Sequence, residues 1–110
     1  MDMRPNEREL SIVVPVYNEV ANVRPLVTAV RGALPDDASW ELLLVDDGST
    51  DETRAVVREL AAGDSRIRLL PLARNFGQTA AMQAGFDAAT GDVIVSMDGD
   101  LQNDPADVPR

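Results

Sequence analysis

Cysteine, histidine and lysine are all absent from the 110 residues. Without cysteine there is neither a disulfide framework nor a thiolate metal site, and the redox compartment is left open. Without histidine there is no imidazole ligand, no histidine base and no Ser-His or Cys-His pair, so any chemistry falls to carboxylates and amides. All ten basic residues are arginine, which rules out a P-loop lysine or a Schiff-base lysine. The formal net charge of -9 argues against a bare electrostatic hold on nucleic acid or anionic lipid, both of which need a basic face. An anionic ligand would therefore need a metal ion. No apolar run approaches the roughly 20 residues of a membrane span, and the opening MDMRPNEREL is too polar for a signal peptide. The expectation is one soluble, cytoplasmic domain, with residues 1–9 as a polar tail.

What is present alternates. LSIVVPV (10–16) is an apolar run without polar alternation, which suits a strand covered on both faces. Val23, Leu26, Val27, Val30 and Leu34 recur at helical spacing, with Asn22 as the expected N-cap and Pro25 in the first turn. WELLLVD (40–46) reads as a second strand. Ser49 and Glu52 have capping-box spacing before RAVVRELAAG, where Gly63 is the expected stop. RIRLLPL (66–72) reads as a third strand, RNFGQTAAMQAGFDAATG as a third helix, and DVIVSMD (92–98) as a fourth strand. Strands alternating with helices predict a parallel α/β sheet with right-handed crossovers, Rossmann-like, in the order 3-2-1-4 with helices on both faces. Ligands of such sheets bind at the carboxyl ends of the strands, near the switch point between strands one and four.

The polar clusters fall at those ends. YNE follows strand one, DDGSTD follows strand two, and DGDLQ follows strand four. Asp-Gly is also an ordinary turn signal, but two carboxylates one residue apart repel unless something positive lies between them. A calcium EF-hand loop starting at Asp98 would need glycine sixth and glutamate twelfth, and finds Asn103 and Pro109. A dinucleotide fold would need a glycine-rich turn where PVYNEVAN stands. A receiver-like magnesium-binding module, the alternative of a different class, would use Asp46, Asp47 and Asp98. It would carry its acidic pair after strand one and add a lysine that this chain does not have. Asp92, at the opposite end of the fourth strand, is expected to be structural.

VVPVYNE, LLLVDDGSTDET, RNFGQTAAMQAG and TGDVIVSMDGDLQNDP occur in that order over residues 10–105. Together they resemble glycosyltransferase family 2, whose members have the GT-A nucleotide-sugar fold. RNFGQ with DGDLQ looks most like its polyprenyl-phosphate, or dolichol-phosphate-type, enzymes. The resemblance implies a metal-dependent, inverting transfer of sugar from a UDP- or GDP-linked donor to a lipid phosphate. It implies that Asp98, Asp100 and the amide oxygen of Gln102 hold Mg²⁺ or Mn²⁺, hard ions suited to oxygen ligands. It places Pro15, Tyr17, Glu19 and Asp47 in the nucleoside pocket, with Asp46 as the alternative to Asp47. Arg74 is open between donor phosphate, acceptor phosphate and a neighbouring carboxylate. No catalytic residue is assigned, because family members are longer than this chain. Residues 10–110 are thus expected to be the N-terminal half of a GT-A domain, truncated before the acceptor-binding half and inactive alone. The longer protein would sit at the cytoplasmic face of a membrane. The apolar fourth strand would lie at an open edge, through which two copies are expected to pair.

Overall fold

The computed structural model describes residues 8–35 and 38–97. The order is β1 (Arg8–Val16), α1 (Val20–Ala33), β2 (Trp40–Asp46), α2 (Thr53–Gly63), β3 (Ile67–Pro71), α3 (Gln78–Ala88) and β4 (Gly91–Ser96). All pairings are parallel and the sheet runs β3-β2-β1-β4, as the alternation of elements predicts. Strand one begins at Arg8, two residues earlier than its apolar run suggests, because Arg8 still pairs with Gly91 of β4.

Helices cover both faces, so the two central strands are apolar on both sides. Ile12, Val14 and Val16 of β1 and Leu42 and Leu44 of β2 pack with Val23, Leu26, Val27 and Val30 of α1 and Val57 of α2. Val13 of β1 and Leu43 and Val45 of β2 point the other way, onto Ala81 of α3. Odd and even residues thus serve different cores, as the period of a strand requires. Gly85 lets α3 come this close: a Cβ there would lie 2.3 Å from Val13 Cγ1.

Helix boundaries differ from the sequence expectation in three places, each for a local reason. α1 starts at Val20 rather than after Asn22, since the Asn22 amide already donates to the Glu19 carbonyl at 2.9 Å. Pro25 consequently lies inside the helix rather than in its first turn. The Ser49–Glu52 capping box does not form: the Ser49 hydroxyl accepts the Asn18 amide, and Asp51 takes the Thr53 amide at 2.9 Å. α3 starts at Gln78, and RNFG before it is loop, with Gly77 at φ 104°.

At the amino ends of the strands a polar group is buried in the sheet. Glu41, 2% exposed, accepts the Ser11 hydroxyl at 2.6 Å, the Thr90 amide at 2.8 Å and hydroxyl at 3.0 Å, and Arg68 at 2.7 Å. Ser11 passes the connection on by accepting the Gly91 amide at 2.7 Å. One carboxylate therefore ties together β1, β2, β3 and the entry to β4. Burial is the largest single influence on Glu41 and raises its pKa, but the bonds from Ser11, the Thr90 amide, Arg68 and the Thr90 hydroxyl together hold it below the ordinary value. Nearby, the Arg66 guanidinium lies 4.3 Å from the Trp40 ring centroid and grips Asp64, which Arg31 also reaches at 3.2 Å. The hydrogen bond from Arg66 is the main cause holding the Asp64 carboxyl down at about 2.

β4 pairs with β1 on one side, and Val93 and Ile94 are exposed. Among the described residues no helix is long and apolar enough to cross a membrane.

Candidate functional site

The carboxyl ends of β1, β2 and β4 lie side by side. The carbonyl of Val13 accepts the Met97 amide at 3.0 Å on the β4 side. Two residues on, the nitrogen of Pro15 faces the same side, and it has no proton to donate. The β1–β4 ladder accordingly ends at Val13 opposite Ser96, while the β1–β2 ladder continues to Val16 opposite Asp46. The boundary between β1 and β4 is the switch point of the sheet, where a parallel sheet of this kind takes ligands.

Immediately after β1, Tyr17 is 41% exposed. Asn18 adopts a left-handed conformation, φ 50°, which asparagine tolerates better than most residues. Its side-chain oxygen receives the Thr50 amide at 2.8 Å and the Asp51 amide at 3.3 Å, and its own amide donates to the Ser49 hydroxyl at 2.9 Å. The Glu19 amide donates to the Thr53 hydroxyl at 2.9 Å. These bonds join the YNE turn to the DDGSTD turn, so the two segments form one wall.

The two adjacent aspartates face different neighbours. Asp46 is fully buried, and its Oδ2 receives Arg54 through Nε at 2.7 Å and Nη2 at 2.6 Å, with the Ser49 amide at 3.3 Å. Its Oδ1 is buried with no hydrogen-bond partner among the described residues. Asp47, 3% exposed, holds the loop before α3: Oδ1 accepts the Phe76 amide at 2.8 Å, and Oδ2 accepts the Gly77 amide at 3.0 Å and the Asn75 side chain at 3.2 Å. This is why RNFG is loop rather than helix. A carboxylate offers about four acceptor positions, so Asp47 retains room for one further donor. Asp51, at the rim, is held below its ordinary pKa by the hydroxyl and amide of Thr53.

Gly48 completes the contact between the two loops. Its φ is +78°, and a Cβ would lie 2.3 Å from the carbonyl carbon of Arg74 and 2.4 Å from the Asn75 nitrogen. Arg74 is brought beside the acidic turn by this approach, and its guanidinium stacks on the exposed Phe76 ring at 4.8 Å. On α3, which the loop enters, Gln78, Thr79, Met82, Gln83 and Phe86 line an open groove of about 320 Å³.

Pro15, Tyr17, Glu19, Asp46, Asp47 and Arg74 therefore share one end of the sheet. Asp98, Asp100 and Gln102 lie outside the described residues, just beyond Met97. Among the described residues no cluster of three or more acidic side chains could hold a metal ion. Sequence reasoning missed Arg54 and Asn75. Arg54 left a signal, a cation in the first turn of a helix, where the macrodipole disfavours it unless an anion is near.

An open parallel sheet of order 3-2-1-4 with helices on both faces, and with Glu19, Asp46 and Asp47 at the carboxyl ends of its strands, is a Rossmann-like α/β architecture of the GT-A type. The family model for glycosyl transferase family 2 matches residues 11–110, and the chain belongs to that family. It is 54% identical over 103 residues to a dodecaprenyl-phosphate galacturonate synthase of Rhizobium johnstonii, covering 92% of this chain and 30% of that protein. It is 46% identical over 104 residues to an undecaprenyl-phosphate 4-deoxy-4-formamido-L-arabinose transferase of Sodalis glossinidius, covering 93% and 32%. Among solved structures, the mannosyltransferase PcManGT of Pyrobaculum calidifontis, in complex with GDP-Man and Mn²⁺, superposes with a TM-score of 0.70 at 25% identity, over 87% of this chain and 28% of that one. TarS of S. aureus in complex with UDP-GlcNAc gives 0.73 at 26% identity, over 84% and 26%. The chain thus spans about a third of the length of the curated relatives it matches.

Proposed function

We propose that this chain is the donor-binding part of an inverting glycosyltransferase that moves a sugar from a nucleotide-diphosphate donor to a polyprenyl phosphate. The observation that carries the reading is the junction of the YNE, DDGSTD and RNFG segments at one end of the sheet, through Asn18, Asp47 and Gly48. Pro15, Tyr17 and Glu19 would flank base and ribose, and Asp47 would accept a ring N–H at its remaining acceptor position. Arg74 would meet phosphate of donor or acceptor, which a guanidinium suits. The names of the Rhizobium and Sodalis relatives support a polyprenyl-phosphate acceptor. Such an acceptor would bring the longer protein to the cytoplasmic face of a membrane.

Asp98, Asp100 and Gln102 would hold Mg²⁺ or Mn²⁺, and the Mn²⁺ in the PcManGT complex supports that assignment. The donor set fits: the sequence after Met97 offers two carboxylates and an amide oxygen, in a chain without imidazole or thiolate ligands. A bound ion would stabilise the charge that develops on the departing diphosphate. The chain alone would bind donor and metal with little transfer.

Calorimetric titration with UDP and with GDP in Mn²⁺ tests the pocket. One nucleotide is expected to bind, and Asp47→Asn to weaken it about tenfold or more, the size of a lost hydrogen bond to a charged group. Failure of a folded protein to bind either nucleotide would overturn the reading.

Two copies would pair through β4, which has no second partner strand among the described residues. The expected result is a concentration-dependent dimer in sedimentation, removed by Ile94→Lys, since charge on an edge strand opposes pairing. A monomer at high concentration would contradict it.

A further inference from the structure

We infer that Arg54 is a positioning residue of the site: by holding the buried Asp46 carboxylate and the Leu72 carbonyl at once, it sets where the neighbouring Asp47 and the 74–77 loop meet a ligand. The inference rests on the nucleotide reading for what that ligand is, and on the geometry of this chain for the rest.

Arg54 is the second residue of α2 and reaches back to the end of β2. Its Nε and Nη2 both meet Asp46 Oδ2, and Nη2 also donates to the Leu72 carbonyl at 2.8 Å. The Leu72 amide in turn donates to the Asp46 carbonyl at 2.9 Å. Leu72 is thereby fixed from both sides, by the backbone of β2 and by a side chain from α2. Two residues later the chain presses its Arg74–Asn75 backbone onto Gly48, and then gives the Phe76 and Gly77 amides to Asp47. Beyond Arg54 itself, the path runs from Asp46 and Asp47 to residues 72–77 by hydrogen bonds, with the close approach at Gly48 between them. Arg54 braces the start of the path, so its loss frees the segment that Asp47 must hold and leaves a fully buried carboxylate without its cation.

Lysine cannot replace it fully. The arginine fork reaches two acceptors with fixed geometry, whereas an ammonium is a single point of charge. Arg58, one turn further along α2, is exposed and carries the same charge, which makes it the control for a purely electrostatic effect on an anionic ligand.

The test combines calorimetry of UDP and GDP in Mn²⁺ with amide hydrogen exchange on the wild type, Arg54→Ala, Arg54→Lys and Arg58→Ala. For Arg54→Ala, nucleotide affinity is expected to fall about tenfold, the size of one lost charge-assisted hydrogen bond. Exchange is expected to quicken at Phe76 and Gly77, while Val14 and Leu44 in the central strands keep their protection. Arg54→Lys should be intermediate in both readouts, and Arg58→Ala unchanged. Equal losses of affinity in Arg54→Ala and Arg58→Ala would overturn the inference in favour of simple charge. Unchanged exchange at Phe76 and Gly77 in both Arg54 variants would overturn it outright. If the wild type binds neither nucleotide, the proposed function fails, and the exchange rates still decide whether Arg54 positions the loop. Should Arg54→Ala not fold, Arg54→Lys carries the test, because it keeps the charge and loses the fork.

Discussion

Glu41→Ala is expected to cost about 3 kcal/mol or more of stability in denaturant unfolding, the largest loss foreseen for a single side chain here. The carboxylate is buried at the amino end of β2 and accepts from Ser11, from Thr90 twice and from Arg68. Its removal leaves Ser11 and the Thr90 amide without an acceptor and opens a cavity among four strands. Arg68 is 40% exposed at its side chain and can return to water, which keeps the estimate at the lower end for a broken buried pair. The same group adds a pH dependence whose sign follows from its lowered pKa. Stability from Glu41 is complete above its unfolded value of 4.5 and is lost as the pH falls through its folded value. Asp64 behaves likewise lower down, its contribution fading from 3.8 towards about 2. Acid unfolding of Glu41→Ala should therefore be shallower than that of the wild type below pH 4.5. A loss under about 1 kcal/mol with an unchanged acid limb would show that the network is dispensable.

Gly48→Ala is expected to have the second largest effect, about 2–4 kcal/mol, made of left-handed strain and overpacking. The methyl group would meet backbone atoms of Arg74 and Asn75 at 2.3 and 2.4 Å, and backbone cannot rotate aside as a side chain can. The loop would have to move away from Asp47, so nucleotide binding should weaken along with stability. Gly63→Ala is the internal comparison, because a Cβ at the end of α2 meets nothing within 4 Å. It should be neutral or slightly stabilising, by up to about 1 kcal/mol, through the unfolded chain. Equal thermal shifts for the two variants would contradict the close approach of the DDGS and RNFG segments.

Both predictions concern features that periodicity did not reveal, whereas the sheet itself was legible. Strand order followed from the alternation of elements and the right-handed crossover, and β2 matches its apolar run residue for residue. What local pattern could not reveal is any element whose conformation is decided by a distant partner. RNFG reads as the start of an alanine-rich helix, and becomes loop because Asp47, some thirty positions earlier, takes its amides. Ser49 and Glu52 have the spacing of a cap, yet Ser49 is occupied by Asn18 from the preceding turn. Glu41 sits in an apolar strand with nothing nearby in sequence to mark its partners at Ser11, Arg68 and Thr90. At the site, the clustering of Tyr17, Glu19, Asp46, Asp47 and Arg74 was readable because a parallel sheet puts successive strand ends side by side. The separate neighbours of Asp46 and Asp47 were not, since adjacent residues on a strand face opposite ways and only the packed loops show what each one meets.

The most direct test of the account is calorimetry of UDP and GDP with and without Mn²⁺, on the wild type and on Asp98→Asn/Asp100→Asn. The account predicts that one nucleotide binds the wild type in a metal-dependent manner and that the double variant, still folded, loses the metal dependence together with most of the affinity. Binding that is unchanged by the double substitution, or indifferent to metal in the wild type, would contradict it.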